Sequence, residues 1–242
     1  MEWTGEGTLL AARPHGESAA IIEVLTEARG LHRGVVRGGS GRRMAPVLQP
    51  GARLHLVWRA RLDDQLGTFT VEPIRARAAT IMGDADRLAA LNAVCALTVF
   101  SLPERDPHPR FYAATEHLLD LLSAAAPWFG AYLAWERLLL EETGYGLDLS
   151  ACAVTGAVEG LAYVSPRSGR AVTEAGAGEF ADRLLPLPEL LRDEEAAESR
   201  EQMAAGLRTT GYFLHDVLAP ALGKRPLPEA RTRLVSRFSG GR

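Results

Sequence analysis

Five short apolar runs, separated by turn residues, occupy the first eighty positions of the chain. They lie at 7–13, 19–25, 31–37, 53–61 and 68–74. Glycine and proline punctuate the intervals, notably around Gly16 and at Pro50-Gly51. Short runs at roughly regular spacing, bounded by such residues, are typical of strands in a small all-β unit. The pattern therefore predicts a closed or nearly closed five-stranded barrel at residues 1–80.

Alternation within two of these runs predicts which side chains face outward. In the run at 53–61, Leu54, Leu56 and Trp58 share one face, because successive side chains of a strand point to opposite sides. The opposite face carries Arg53, His55, Arg59 and Arg61. In the run at 31–37, the outward face carries Arg33, Val35 and Arg37. By its position Trp58 is predicted to lie in the core rather than to stack on a base, whereas Phe69 fits either role.

From Asp84 onward the apolar spacing becomes helical. Apolar residues recur at intervals of three and four from Leu88 to Thr98, and Asp84 is a good N-cap. Two more helices are predicted at 111–122 and 128–140, the second ending at Thr143-Gly144. Residues 147–178 read as an irregular insert with a two-stranded turn around 163–168. A last long helix is predicted at 194–218, followed by a basic tail at 220–242.

Charge is distributed unevenly along the chain, and this points to a function. Residues 1–80 hold 11 arginines against 8 acidic residues, although the whole chain has a formal charge of −3. Between Ala28 and Leu62 no acidic residue occurs, and eight arginines do: Arg29, Arg33, Arg37, Arg42, Arg43, Arg53, Arg59 and Arg61. A one-sign block repels itself unless a polyanion such as nucleic acid compensates it. The alternative is that these arginines only solubilise the surface and protect edge strands.

Other chemistry is poorly supported by the sequence. It contains no phosphate-binding glycine loop, no zinc-protease motif and no nucleophile elbow, so no catalytic residue is predicted. The two cysteines, Cys95 and Cys152, offer no disulfide framework and suit a reducing compartment. No signal peptide and no membrane span are apparent. We therefore expect a cytoplasmic protein that needs no cofactor.

Several segments resemble the RecO family of recombination mediators. The likeness rests on the runs at 13–18 (RPHGES), 30–39 (GLHRGVVRGG), 48–51 (LQPG), 58–62 (WRARL), 163–170 (YVSPRSGR) and 222–228 (LGKRPLP). It extends over essentially the whole chain and its order of elements. The resemblance implies an α+β protein with an N-terminal OB-fold barrel, followed by an all-helical domain at 81–242 with an embedded zinc-finger-like insert.

The insert departs from the family pattern at its metal ligands. Some family members carry two Cys-x-x-Cys pairs in this insert. Here Cys152 matches the first cysteine, whereas the other three positions correspond to Thr155, Thr173 and Gly176. Structural zinc needs four nitrogen or sulfur ligands, so we expect the shape of the insert without the metal.

The resemblance also implies a function and partners. It indicates a non-enzymatic protein that binds single- and double-stranded DNA and anneals complementary strands at repair sites on the nucleoid. It further implies that RecR and the acidic tail of single-stranded DNA-binding protein are partners, and that RecA is loaded as a result. Surfaces near Arg110, Phe111 and Tyr112 are one of several candidates for the tail's pocket. The main alternative is an OB-fold adaptor that binds RNA or a protein without annealing strands; a nuclease ranks third.

Together, the residues and the resemblance predict a set of DNA contacts. The predicted phosphate contacts are Arg33, Arg37, Arg42, Arg43, Arg59 and Arg61. They are expected to line one groove, formed by two adjacent strands and the flexible glycine-rich loop between them. In the basic tail, Lys224, Arg225 and Arg231 either extend this track or pair with acidic residues of the helical part.

Overall fold

The computed structural model describes residues 1–62 and 65–240. These residues form two compact units, one ending at Ala126 and the other beginning at Pro127. The first contains a β-barrel and three helices, and the second is mainly helical. The predicted α+β class is confirmed at this level.

The predicted barrel is present and closed. Its strands are β1 (Glu2–His15), β2 (Ala19–Thr26), β3 (Gly30–Val36), β4 (Arg53–Arg59) and β5 (Thr68–Arg75). The order around the barrel is β1-β2-β3-β5-β4, and β1 closes it by pairing antiparallel with both β2 and β4. β1 reaches both partners because it is longer than predicted, with a register shift between Leu9 and Ala11.

The predicted alternation of side chains is also confirmed. Leu54, Leu56 and Trp58 of β4 lie in the barrel core, where Phe69 joins them. Trp58 is completely buried, and its indole Nε1 donates a hydrogen bond to the Leu66 carbonyl oxygen at 3.1 Å. Neither Trp58 nor Phe69 is therefore a stacking platform for a base.

The expectation that β3 and β4 lie side by side is wrong. β5 lies between them, antiparallel to β4 and parallel to β3, with Val35 opposite Thr68. A parallel pair needs a crossover connection, which here contains β4 itself. The outward arginines of β3 and β4 are consequently separated by a strand that carries Thr68 and Thr70.

Three helices complete the first unit. They are α1 (Ala78–Ile81), α2 (Ala85–Ser101) and α3 (Pro109–Ser123). Asp84 is the N-cap of α2, as predicted, and its carboxylate accepts hydrogen bonds from the backbone N–H groups of Asp86 and Arg87. The α3 helix is joined to the barrel by buried charges, because Arg77 donates to both oxygens of Glu116 at 3.1 and 3.0 Å. Thr8 of β1 donates to the same carboxylate.

The second unit is helical with one small sheet. Its helices are α4 (Phe129–Glu142), α5 (Glu174–Ala177), α6 (Glu189–Arg192), α7 (Arg200–Tyr212), α8 (Ala219–Ala221) and α9 (Glu229–Phe238). The sheet consists of β6 (Leu161–Val164), β7 (Ala171–Thr173) and β8 (Leu185–Pro186), with β6 in the middle. The two-stranded turn predicted near 163–168 is confirmed as the β6–β7 hairpin, whereas the prediction of an all-helical domain is wrong.

The long helix predicted at 194–218 begins later than expected. Ser199 caps α7 by accepting a hydrogen bond from the Gln202 N–H at 3.1 Å. Before it, Glu198 lies outside the helix, where its carboxylate accepts from the Phe129 N–H at 2.5 Å. A π-helical segment, Phe213–Leu218, and α8 continue from α7.

The basic tail also differs from the prediction, because it contains α9. Ala230, Leu234 and Phe238 repeat at intervals of four and are buried, which explains why this charged segment forms a helix. Residues 241 and 242 of the predicted tail lie outside the described residues.

The change from strands to helices occurs where the sequence indicates it. β5 ends at Arg75 and α1 begins at Ala78. The division between compact units falls later, at Ala126, so α1 to α3 belong to the unit of the barrel. The domain boundary near residue 80 stays a prediction.

Candidate nucleic-acid interface

The outer face of β3 carries the first predicted contact residue, Arg33, in a network of ion pairs. Its Nε lies 2.8 Å from Glu23 Oε1, and its Nη1 lies 2.9 Å from Glu104 Oε1. Glu23 is directly opposite Arg33 on β2. The guanidinium is about two-fifths exposed, so it is both anchored and accessible.

Three predicted contact residues follow Arg33 at the end of β3 and in the next loop. Arg37, Arg42 and Arg43 are exposed, and within the described residues none of them has a carboxylate partner. Their positive charge is therefore available to a ligand.

The loop that carries these arginines is anchored against the start of β2. The Ser40 N–H donates to the Ser18 carbonyl oxygen at 3.0 Å, and the Ser40 hydroxyl donates to the Ala19 carbonyl oxygen at 2.6 Å. A side chain at Gly39 would come within 2.7 Å of the Ala20 Cβ, so this close approach requires glycine. Farther along, Leu48 is buried in the barrel core. The loop expected to be flexible is thus held at both ends, next to the β1–β2 turn.

The remaining two predicted residues lie beyond β5. Arg59 of β4 donates to Glu2 Oε1 at 2.7 Å, and this hydrogen bond lowers the pKa of Glu2 and raises the pKa of Arg59. Arg61 is exposed after the end of β4, with no carboxylate partner among the residues described. The predicted set therefore forms one group on β3 and its following loop, and a second group across β5.

The sequence reasoning missed Arg13. Its Nη2 lies 3.6 Å from Glu23 Oε2, so Arg13 and Arg33 flank the same carboxylate. The signal was present, because Ala11, Arg13 and His15 alternate along β1 as an outward face. Arg13 is highly exposed and adds a cation to the surface formed by β1, β2 and β3.

In the basic tail, Arg231, one of the three predicted DNA contacts, is not exposed. The guanidinium of Arg231 is buried and contacts both oxygens of Glu136, at 2.8 and 3.0 Å. Burial disfavours the charge on Arg231, but Glu136 outweighs this effect and raises the pKa of Arg231. For Arg231 the structure thus supports the second alternative, pairing with an acidic residue of the helical part. Lys224 and Arg225 are exposed ahead of α9.

One candidate for a partner's pocket, the surface near Arg110, Phe111 and Tyr112, is only partly exposed. Phe111 is completely buried, and Tyr112 is nearly so. Burial, together with the nearby Glu116, raises the pKa of Tyr112 to about 12. Phe111 therefore cannot line a partner's pocket, whereas Tyr112 lines a surface cavity together with Arg29 and Arg53. The location of the tail's pocket stays a prediction.

The four positions that correspond to the family's metal ligands do converge. Cys152 Sγ accepts hydrogen bonds from the N–H groups of Thr155 and Thr173 at 3.4 and 3.3 Å, and the Thr173 hydroxyl lies 3.4 Å away. A Cβ at Gly176 would lie 3.1 Å from the same sulfur. Only one of these positions carries a ligand that zinc uses, so the residues do not fit a structural zinc. Within the described residues, no group of three or more His, Cys, Asp or Glu side chains is arranged to hold a metal.

No helix among the described residues is both long enough and apolar enough to span a membrane. The fold and the surface together define a protein of mixed α and β structure, with a candidate nucleic-acid interface on its barrel.

Comparisons with known proteins agree with the resemblance noted in the sequence. The family model described as "Recombination protein O N terminal" matches residues 1–77, and "Recombination protein O C terminal" matches residues 82–226. Three relatives, each called DNA repair protein RecO, come from Ruegeria sp. (strain TM1040), Roseobacter denitrificans and Dinoroseobacter shibae. They are 59%, 59% and 54% identical, and the matches cover 97%, 99% and 100% of both chains in each pair. The chain belongs to the RecO family.

Proposed function

We propose that this protein is a mediator of DNA repair and homologous recombination that binds DNA and anneals complementary strands. Membership of the RecO family over nearly the whole length supports the repair role. The observation that carries the binding role is the surface of β3 and its following loop, where Arg37, Arg42 and Arg43 are exposed without carboxylate partners among the described residues.

The barrel is proposed to be an OB fold. Support comes from its five strands, their order β1-β2-β3-β5-β4 and the parallel contact between β3 and β5. OB folds bind oligonucleotides on the face of their second and third strands and on the adjoining loops. That face here carries Arg33, with Arg13 of β1 beside it, and the adjoining β3–β4 loop carries Arg42 and Arg43.

The electrostatics of this surface favour backbone contacts that are independent of sequence. Arg37, Arg42 and Arg43 are exposed cations that, within the part of the chain the structure describes, give up no ion pair when they meet a phosphate. Arg33 and Arg59 already neutralise carboxylates, so their contacts to phosphate are weaker. Single strands and duplexes share the phosphodiester backbone, which is why we propose that both are bound.

The proposed partners follow from the family. We propose that the protein acts with RecR, engages the acidic tail of single-stranded DNA-binding protein and promotes RecA loading at the nucleoid in the cytoplasm. No catalytic step and no cofactor are part of this proposal. The insert around Cys152 is proposed to keep the family's finger-like shape without metal.

A strand-annealing assay tests the proposal. Complementary strands coated with single-stranded DNA-binding protein should anneal faster when the protein is added. The double variant Arg42→Gln/Arg43→Gln should anneal several-fold more slowly and keep its melting temperature, since both side chains are exposed. The matched control is Arg167→Gln/Arg208→Gln, which removes two exposed arginines of the second unit.

Two outcomes of the annealing assay would contradict the proposal. If the protein leaves the annealing rate unchanged, it is an adaptor rather than a mediator. If the Arg42→Gln/Arg43→Gln variant and the control variant show the same decrease in annealing rate, the β3–β4 loop is not the contact surface. Titration of a tail peptide by calorimetry tests the partner separately, and absence of binding would reject that assignment.

A further inference from the structure

A cavity of about 370 Å³ lies on the outer face of β1, β2 and β3. Its lining includes Ala11 and Arg13 from β1, Ile21 and Glu23 from β2, Arg33 from β3, and Leu66 from the β4–β5 connection. Register puts Ala11, Glu23 and Arg33 in one row across the three strands. Apolar walls with a few converging polar groups are typical of a site for a small molecule or group.

Two polar atoms at this cavity are buried without a hydrogen bond. Glu23 Oε2 and Arg33 Nε are both inaccessible to solvent, and neither has a well-directed hydrogen-bond partner in the described part of the chain. They do take part in ion pairs, with Arg13 Nη2 at 3.6 Å and with Glu23 Oε1 at 2.8 Å respectively. Buried polar atoms are nearly always hydrogen-bonded, so a buried carboxylate with an unsatisfied oxygen, beside a guanidinium that is only ion-paired, indicates a ligand with a donor next to an acceptor.

The carboxylate decides what kind of ligand fits. Glu23 is only 4% exposed, and its negative charge disfavours a phosphate group in the same space. A nucleobase is neutral, has N–H donors next to ring or carbonyl acceptors along its edge, and offers flat faces to apolar side chains. Ala11, Ile21 and Leu66 supply such contacts.

We propose that this cavity binds one nucleobase of the bound single strand. The Glu23 carboxylate accepts from a base N–H, the Arg33 guanidinium donates to the neighbouring acceptor, and Arg13 at the rim meets the adjacent phosphate. The inference rests on the proposed function and adds to it: phosphates are held by the β3–β4 loop, and one base is held by the barrel face.

The walls of the cavity are held in place without a ligand. The Leu66 carbonyl oxygen accepts from Trp58 Nε1 at 3.1 Å, and the Gln65 carbonyl oxygen accepts from Arg105 Nη2 at 2.9 Å. Glu104 fixes the other end of the Arg33 guanidinium. A base entering a cavity that is already formed loses less affinity to ordering of the protein.

Comparison of strands with and without bases tests the inference. Fluorescence anisotropy at one salt concentration would compare oligodeoxycytidine with an abasic strand of equal length. We expect the cytidine strand to bind about fivefold more tightly, as one satisfied hydrogen-bonding site allows. Ala11→Met fills the cavity without changing charge, and should bring this ratio close to one while the melting temperature is preserved.

A charge-matched pair of variants separates the base contact from general electrostatics. Glu23→Gln and Glu104→Gln each remove one negative charge that faces Arg33, so both should bind the abasic strand at least as tightly as the wild type. Only Glu23→Gln should lower the ratio between the two strands, because Glu104 does not line the cavity.

The outcomes also separate this inference from the proposed function. If both strands bind equally and with strong salt dependence, the base site is rejected and the phosphate surface stands. If Ala11→Met keeps the wild-type ratio, the base is held elsewhere and the inference is again rejected. If neither strand binds, the proposed function fails as well.

Discussion

Ion-pair partners divide the arginines of the first unit into two groups. Those that contact carboxylates are Arg13, Arg33, Arg53, Arg59, Arg75, Arg77 and Arg87. Those without a carboxylate partner in the described residues include Arg37, Arg42, Arg43 and Arg61. The first group stabilises the unit, whereas the second gives up no ion pair when a phosphate binds. The distinction depends on Glu2, Glu23 and Glu104, which lie outside the acid-free block at 28–62 and reach its arginines only through the fold.

Arg77 belongs to the stabilising group, and its loss should be costly. Its side chain is fully buried between Glu116, Asp120 and the Gly51 carbonyl oxygen. Arg77→Met leaves the Glu116 carboxylate buried without its main counter-charge, so we expect the free energy of unfolding to fall by about 3 kcal/mol. Urea denaturation measures this change.

Arg75→Met is the matched control for Arg77. Arg75 is half-exposed, and its carboxylate partner among the described residues is Asp120, at 2.7 Å. Exposed ion pairs contribute about 1 kcal/mol or less. Equal losses for the two variants would contradict a structural role specific to Arg77.

Cys152 gives a prediction about pH. Burial opposes its thiolate, but hydrogen bonds from Thr155 and Thr173 outweigh that effect and lower the pKa of Cys152 to about 6. Burial raises the pKa of the other thiol, Cys95, to about 12. An ultraviolet absorbance titration of the folded protein should therefore show one thiolate forming near pH 6, and Cys152→Ser should abolish it.

The lowered pKa of Cys152 also makes the stability of the folded protein depend on pH. Because the pKa of Cys152 is lower in the folded chain than its ordinary value of 9.0, its contribution is fully present above about pH 9 and is lost as the pH falls toward 6. Between these values the wild type should gain stability with rising pH relative to Cys152→Ser. A constant difference between the two proteins would contradict the thiolate assignment.

At the scale of elements, the sequence predicted those strands and helices whose formation depends on interactions between neighbouring residues. The five barrel strands and helices α2, α3 and α4 lie close to their predicted positions, because alternation, helical spacing and caps are properties of neighbouring residues. The α9 helix was missed although Ala230, Leu234 and Phe238 carry the helical spacing, since proline and charge in this segment suggested a tail. The start of α7 was misplaced because Glu198 makes its contact with Phe129, far away in sequence.

The N-cap of α2 can be tested directly. Asp84 accepts from two backbone N–H groups at 2.8 and 3.1 Å, so Asp84→Ala should reduce the free energy of unfolding by about 1 kcal/mol. Asp84→Asn retains a capping oxygen, so its free energy of unfolding should fall by clearly less than that of Asp84→Ala. If both variants lose the same amount in thermal denaturation, the contact between Arg87 and Asp84 rather than the cap is responsible.

At the scale of the whole molecule, the sequence predicted a barrel followed by helices but not the neighbours of each strand. The order β3-β5-β4 depends on a parallel pairing between distant segments, which no local pattern reveals. That order divides the predicted arginine set, leaving Arg33, Arg37, Arg42 and Arg43 on one side of β5 and Arg59 and Arg61 on the other. The face of β1, β2 and β3, with Arg13 and Glu23, emerges only from the fold.

The central claim is that the arginines at the end of β3 and in the following loop, which have no carboxylate partner among the described residues, bind phosphates. The salt dependence of single-strand binding tests this claim most directly. Each phosphate contact adds about −0.7 to the slope of log affinity against log salt. Arg37→Gln/Arg42→Gln/Arg43→Gln should therefore make the slope shallower by about 2 units, whereas Arg167→Gln/Arg183→Gln/Arg208→Gln should leave it unchanged. A wild-type slope near zero, or equal changes in the two triple variants, would contradict the account.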